Sequence, residues 1–394
     1  MIQNIVDDAE CSACGACVTT CPVSAITMLH NSAGFLQASV DDKKCICCRQ
    51  CLYVCPAHNK KKRITKDDVV GKIESAYIGY ATDKELRSMG QSGGIVSGLL
   101  LYLLEKKVVD YVFVCEFDKS KQRYEIVKVS QKKGILSAVG SVYVQTSPLS
   151  HLRDVDGEYA CVLLGCQADA LKRMSNIKKP KIKIGLVCEC TNSKYLMDNL
   201  IWLSREKREI ESFRFRDKRF GGVPGDVCIA TNKGNRTLPN GLRRHLFSEW
   251  KAYSCYSCYF KLNPDSDLVC MDPWGISNKE NENGNTVVLI RNDLGKQIML
   301  DAQKEGYIQF SELSAKECIN GQHVDEEYIT EKNSILGGTI TKSAQKARKL
   351  YFYDGKIKKM FWKFSIISIL KWCREAVCSF IVRGVRYLKR RIER

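Results

Sequence analysis

The stretch "CSACGACVTTCP", Cys11 to Pro22, places four cysteines within eleven residues and closes on a proline. "CICCRQCLYVCP", read from Cys45, repeats the same C-x2-C-x2-C-x3-C-P spacing. Three thiolates set two residues apart can wrap one small centre within a tight turn. A fourth, three residues on, starts a helix that leads away and ligates the other centre of a pair. The spacing therefore predicts one [4Fe–4S] cluster on Cys11, Cys14, Cys17 and Cys55. A second is expected on Cys45, Cys48, Cys51 and Cys21. Cys47 is surplus to the pattern. Pro22 and Pro56 supply the turn after each fourth ligand, and Gly15 lets the backbone approach closely because it has no Cβ.

Two other uses of clustered cysteines fit less well. Zinc sites pair C-x2-C units across a longer gap, without a third cysteine two residues on. Disulfide frameworks belong to short secreted chains, and "MIQNIVDDAE" has neither the basic nor the apolar segment of a signal peptide.

A length of 394 residues implies two or three domains. The chain has 21 cysteines, so thirteen lie outside the eight proposed ligands, too scattered for a disulfide scaffold. So many thiols imply a reducing compartment, and a cytoplasmic location is expected. The formal net charge is +18. Each filled [4Fe–4S] site lowers it by about 2. The excess is also local: residues 356–394 hold twelve Lys or Arg against two acids. The charge is thus a property of the tail, and a nucleic-acid-binding role for the whole chain is not supported.

Residues 1–70 read as a dicluster ferredoxin unit that ends in the charged linker "NKKKRITKDD". Beyond it, "SAYIGYAT", "YVFVCEFD", "EIVKVS", "YACVLLG" and "KIKIGLVCEC" read as strands. "GQSGGIVSGLLLYLLEKKVVD" reads as a glycine-rich turn opening a helix; "ADALKRM" and "SKYLMDNLIWLSREK" read as further helices. The fold class expected is α+β, with a ferredoxin-like domain before a mixed α/β domain. Ser92, Gly93 and Gly94 stand where the first helix opens, a place whose free amides and dipole favour phosphate.

Landmarks spread over residues 77–310 extend this reading. In order they are "QSGGIVSGLL", "GSVYVQTS", "VLLGCQADALK", "GLVCEC", "FRFRDKRFGG", "CYSC" and "MDPWGI". With the ferredoxin unit in front, the chain resembles the coenzyme F420 hydrogenase/dehydrogenase beta-subunit family. The resemblance divides the central module into residues 71–155 and 156–345, leaving 346–394 as a basic amphipathic tail. It implies an iron–sulfur flavoprotein oxidoreductase in which FAD exchanges hydride with a deazaflavin or another acceptor. By motif position, Ser92, Gly93 and Gly94 would approach the FAD phosphates. Arg216 and Lys218 would supply cations, and Asp272, Trp274 and Gly275 would line the same region. Cys166, Cys188, Cys255 and Cys258 match family cysteines that could hold a third [4Fe–4S] cluster. The chain departs from the family at Leu164-Gly165-Cys166, Cys188-Glu189-Cys190 and Met271-Asp272-Pro273. These departures bear on the acceptor, for which some bacterial members' surface-polysaccharide loci suggest an alternative. An electron-transfer subunit without its own substrate site, or a scaffold that has lost flavin, are the other readings. The implied partners are a ferredoxin-like or other redox carrier and an oxidoreductase subunit.

None of the five histidines sits in a Cys/His or Ser/His arrangement. No Walker loop is present, and no G-x-G-x-x-G follows a strand, so a nicotinamide site is not supported. Cys115, Cys161 and Cys228 read as small core residues on strands. In the tail, Ile366, Leu370, Cys373, Val377, Phe380 and Leu388 share one helical face, with Lys371, Arg374, Arg383, Arg386 and Arg390 elsewhere on the helix. Charges interrupt it too often for a bilayer span, so it is expected to lie on an anionic membrane surface or to pack on the core or on a partner.

Overall fold

A computed structural model describes residues 2–276 and 283–392, with side chains described as far as residue 375. The first sixty residues wrap two cysteine-bearing turns around a hairpin. Its strands are β1 (Ile26–His30) and β2 (Leu36–Val40), paired antiparallel. The helix Ala16–Thr20 carries Cys17 and opens on Gly15 at φ +86°. A side chain there would be strained, and its Cβ would stand 2.3 Å from Ser147 Oγ and 2.6 Å from the Ser150 amide. Gly15 is thus the point where the cluster unit touches the central module.

The remaining strands, in chain order, are β3 (Ser75–Ala81), β4 (Tyr111–Asp118), β5 (Arg123–Val129), β6 (Tyr159–Leu164) and β7 (Ile182–Leu186). They continue with β8 (Ser212–Asp217), β9 (Asp226–Thr231), β10 (Gly234–Leu238), β11 (Leu268–Met271), β12 (Thr286–Ile290) and β13 (Ile308–Glu312). Eight form one sheet in the order β13-β3-β12-β11-β7-β6-β4-β5. Its centre, β11-β7-β6-β4, is parallel, and the flanking pairings are antiparallel. Within this sheet β3 of residues 71–155 lies between β13 and β12 of residues 156–345, and β4 pairs with β6, so the two stretches make one folding unit. A separate antiparallel sheet, β10-β9-β8, carries the arginine-rich segment.

The strands expected from the sequence all form, with one difference. β7 stops at Leu186, so Cys188 to Cys190 lie in a loop. The ladder explains this: Leu186 pairs with Leu164 and Cys270, near the ends of both neighbouring strands, and beyond it the chain has no strand to pair with. The helix Ile95–Glu105 packs on the sheet through Ile95, Leu99 and Leu103, all fully buried. Cys115, Cys161 and Cys228 lie on β4, β6 and β9, with Cys161 and Cys228 buried, as small core residues should be.

A second core joins three parts of the chain. Ala33 and Phe35 from the hairpin loop, Phe213, Phe215 and Ile229 from the small sheet, and Phe361 and Phe364 from the tail meet around Trp250. The helix Lys342–Tyr351 runs across residue 345, and the tail is one helix, Ile357–Ile392. No described helix is long and apolar enough to cross a membrane.

Candidate functional site

The parallel strands β4, β6, β7 and β11 all end on one edge of the sheet, where ligands of α/β folds gather. Cys166 follows β6, Cys188 follows β7, and Asp272 follows β11. The antiparallel β12 starts at that edge, so Thr286 meets the turn before helix Ile95–Glu105. Sheet topology thus brings together residues more than a hundred positions apart.

Cys166, Cys188, Cys255 and Cys258 line a single cavity, with Cys190 as a fifth cysteine in the same wall. Gln167 accepts the Leu164 amide at 2.8 Å and fixes the turn that carries Cys166. The Thr191 amide donates to Cys255 Sγ at 3.4 Å. Glu10, Ser12, Pro56, Ala57 and Lys60, all from the ferredoxin unit, complete the wall. Burial pushes the thiols of Cys166, Cys188 and Cys190 well up, and their neighbours' charges add to this for Cys166 and Cys188. Cations stand around the cavity. Lys261 pairs with Glu189 at 2.8 Å, and the buried Lys332 donates to the Tyr256 carbonyl at 2.8 Å. Burial lowers the Lys251 pKa, but Cys190, Cys255 and Glu189 more than offset it and hold it up. Cys190, Lys251 and Lys332 were not singled out from sequence. They converge only through the sheet, and the single usable signal was the departure from the family pattern at Cys188-Glu189-Cys190.

The cavity adjoins the first of the two ferredoxin ligand sets. Cys11, Cys14, Cys17 and Cys55 form one electrostatic group: burial and then Cys55 raise Cys14 to about 12, and burial raises Cys55 to about 11, with Cys11 adding to it. Cys17 is raised by burial and then by Cys14, Cys11 and Cys55. Three buried thiols and the half-buried Cys11, opposing one another's ionisation, suit a cationic iron–sulfur core, which favours the thiolates. The exposed His58 lends only its backbone amide to Cys55. Cys21 accepts the Ala25 amide at 3.2 Å. Its companions lie outward: Cys45 and Cys51 are half-buried, and Cys47 and Cys48 are exposed. Among the described residues, no three of His, Cys, Asp or Glu close on a point that could hold a single metal ion.

The ferredoxin unit is clamped to the module. Arg153 donates to the carbonyls of Val18, Thr19 and Cys21, closing the helix Ala16–Thr20. Thr19 Oγ1 donates to the Leu149 carbonyl at 2.6 Å, and the Leu149 amide donates to the Cys14 carbonyl at 3.1 Å. Across the interface, Leu36 donates to Gln145 Oε1 at 2.9 Å and Ser193 to the Ala33 carbonyl at 2.6 Å.

Near the other end of the same sheet edge, β8 carries Arg214 and Arg216, with a register irregularity between Arg214 and Asp217, and Lys218 follows its end. Arg216 is buried; it bonds Asp272 at 2.8 Å, Tyr143 at 3.1 Å and the Pro224 carbonyl at 3.0 Å. Lys218 donates to the carbonyls of Ser92 at 2.7 Å and Asn283 at 2.6 Å; burial lowers its pKa to about 8. Ser92 and the Gly93 amide both meet Thr286 Oγ1, each at 2.9 Å. A Cβ at Gly93 would stand 2.4 Å from the Gly79 carbonyl, so the glycine is required by sheet packing. Gly94 caps the helix at φ +78°. Five of the expected flavin contacts, Ser92, Gly93, Gly94, Arg216 and Lys218, therefore surround one region, and Asp272 joins through Arg216. Gly275 at φ +72° instead packs its backbone on Gly321, and Trp274 beside it is exposed. A cavity of about 270 Å³ opens beside Arg214 and Arg216, lined by Phe117, Tyr124, Phe213 and Phe215. It lies near the lower end of the ~300–1,000 Å³ of small-molecule sites. Phe213 and Phe215 are buried behind it, and Glu116 and Glu211 share its lining with Arg214 and Arg216.

Two cysteine-bearing turns folded around one hairpin define an iron–sulfur protein of the dicluster kind. A 4Fe-4S dicluster domain model matches residues 10–59. The chain belongs to the coenzyme F420 hydrogenase/dehydrogenase beta-subunit family: the N-terminal model of that family matches residues 76–153 and its C-terminal model residues 156–316. Among curated relatives, an F420-dependent formate dehydrogenase subunit beta of Methanocaldococcus jannaschii is 25% identical over 252 residues, covering 60% of this chain and 61% of the relative. A coenzyme F420 hydrogenase subunit beta of Methanosarcina barkeri is 24% identical over 259 residues, covering 62% of this chain and 84% of the relative. The chain thus spans less than two thirds of the first relative's length. A chain of the F420-reducing [NiFe] hydrogenase complex from Methanosarcina barkeri shares the fold, with a TM-score of 0.52 at 19% identity over 70% of this chain and 94% of that one.

Proposed function

We propose that this protein is an iron–sulfur flavoprotein that serves as the electron-transfer subunit of an oxidoreductase. The observation that carries this reading is the graded placement of its cysteines. Cys45, Cys48 and Cys51 of one ferredoxin set are exposed or half-buried, three of the other set's four cysteines are buried, and the cavity of Cys166, Cys188, Cys255 and Cys258 adjoins that second set. Bound [4Fe–4S] clusters supply one-electron carriers, and bound FAD supplies the exchange between single electrons and a hydride. Cys11, Cys14, Cys17 and Cys55 would hold one cluster, and Cys45, Cys48, Cys51 and Cys21 the outer one. The fifth cysteine aside, the cavity's thiols would hold a third. Arg214, Arg216 and Lys218 would face FAD phosphate, with the aromatic cavity taking its ring.

The chain's own residues do the remaining work. The exposed segment 42–50 offers a redox partner access to the outer ligand set. Lys251, Lys261 and Lys332 offset the thiolates' negative charge, and the ferredoxin unit keeps water from the inner cavity. The relatives' names point to a deazaflavin as acceptor. The departures at residues 164–166, 188–190 and 271–273 leave a polysaccharide-pathway substrate as the competing choice. A cluster-binding scaffold that has lost flavin is the reading favoured by one observation: the Gly93 amide and the Lys218 ammonium, both expected phosphate contacts, are already engaged within the protein.

The test is iron, acid-labile sulfide and flavin per chain after anaerobic purification. About twelve irons with FAD are expected. About eight would remove the third cluster, and eight without FAD after reconstitution would leave an electron carrier or scaffold.

A further inference from the structure

The tail helix has two apolar sides, and only one is covered. Phe361, Phe364, Ser365 and Ser368 face the body of the protein and are buried. At 100° per residue, Trp362, Ile366, Ile369, Leu370 and Cys373 fall on the other side. There Trp362 is 60% exposed, Ile366 49% and Leu370 64%. This is the face that begins the Ile366, Leu370, Cys373 pattern of the sequence, so packing on the core does not account for it. The pattern recurs beyond the described side chains at Val377, Phe380 and Leu388.

Charge identifies what covers the stripe. Lys358 borders it on one side and Lys363 and Arg374 on the other, while Lys359 projects within it one turn before Trp362, all exposed. The single acid between residues 356 and 375, Glu375, is held by Arg244 at 2.8 Å and faces away. The helix as a whole repeats this bias, with twelve basic residues against two acids in 356–394. A second copy of so basic a surface would be repelled. An apolar band flanked by lysines, with a tryptophan at its margin, matches the boundary between lipid headgroups and acyl chains. Trp362 is held in place there by its contact with Trp202, ring centroids 5.0 Å apart.

We propose that the outward stripe of helix Ile357–Ile392 seats the protein on an anionic bilayer, with the helix lying in the headgroup plane. The body then hangs from the membrane by the buried side of the same helix, through Phe361, Phe364 and Trp250. The helix lies on the bilayer and does not cross it, since no described helix is long and apolar enough to do so.

The test is co-sedimentation of the full-length, cluster-loaded protein with vesicles. Phosphatidylcholine vesicles containing about a third phosphatidylglycerol should bind at least tenfold more tightly than phosphatidylcholine alone, with affinity falling as salt rises. The variants Ile366→Ser/Leu370→Ser and Lys359→Ala/Lys363→Ala should each lose at least about tenfold while keeping iron content and visible spectrum. Indifference to both vesicle types would overturn the proposal, as would unchanged binding by the serine variant. A dimer seen by light scattering and dissolved by the serine variant would assign the stripe to a second copy instead.

Discussion

At the scale of single residues, the cysteine assignments make separable predictions. Cys47→Ser should keep all its iron, because Cys47 is exposed and outside the repeat, whereas Cys48→Ser should lose about four irons per chain, measured by iron assay and by the spectrum of the outer cluster. Lys332 donates to the Tyr256 carbonyl beside the inner thiols, so Lys332→Met removes a buried positive charge. The potential of the inner centre should fall by roughly tens of millivolts, read by redox titration with electron paramagnetic resonance. Lys218 gives a pH signature. Its ammonium is lost near pH 8 because burial lowers its pKa, so affinity for FAD should drop as pH climbs through that value, and Lys218→Arg should abolish the break. The sign for stability is opposite: the folded pKa lies below the unfolded one, so this group's destabilisation eases between pH 8 and the ordinary lysine range. Legibility at this scale followed covalent spacing. The eight candidate ligands lie in two runs that any fold must keep local, so the pattern that matches a dicluster domain was visible directly. Cys190 and Lys332 approach the inner cavity only after β6, β7 and the helix Glu326–Leu336 have packed, so they could not.

Among elements, the contact between the ferredoxin unit and the module is the one most open to a single change. Arg153 reaches across to three carbonyls at the end of helix Ala16–Thr20, where a cation also favours the helix dipole. Arg153→Ala should cost about 2–3 kcal/mol by thermal or denaturant melting. It should also speed hydrogen exchange of residues 14–22 before the central sheet exchanges. The strands were legible because each alternates or runs apolar between turn residues. The end of β7 was not, since a strand stops where its neighbours stop, and those neighbours are far away in sequence. Gly93 shows the same limit. Its position before a helix invites a phosphate reading, yet the Gly79 carbonyl of β3 requires a glycine whether or not a phosphate binds.

For the whole molecule, the fold class and the order of its parts were readable, while the way they close on one another was not. The hairpin loop, the small sheet and the tail share one core around Trp250, so removing residues 346–394 should expose Phe35 and Trp250 as well as remove the basic charge. Such a truncation should lower the melting temperature by several degrees, and loss of vesicle binding by it alone would not distinguish anchoring from unfolding. The tail's two apolar sides explain why its pattern looked ambiguous in sequence: one stripe belongs to the core and the other does not.

The wall that Glu10, Ser12, Pro56, Ala57 and Lys60 build across the inner cavity carries a consequence for biogenesis. The two ferredoxin cysteine runs lie between residues 11 and 55, so both are synthesised long before the inner thiols are. The inner thiols come together only once Cys258 has been made, by which time the ferredoxin unit is ready to dock over them. A centre held in that cavity, as proposed above, would be delivered before docking or through a transient lifting of this wall. Maturation of the proposed third centre would then be a timed event, with docking of the ferredoxin unit as its deadline.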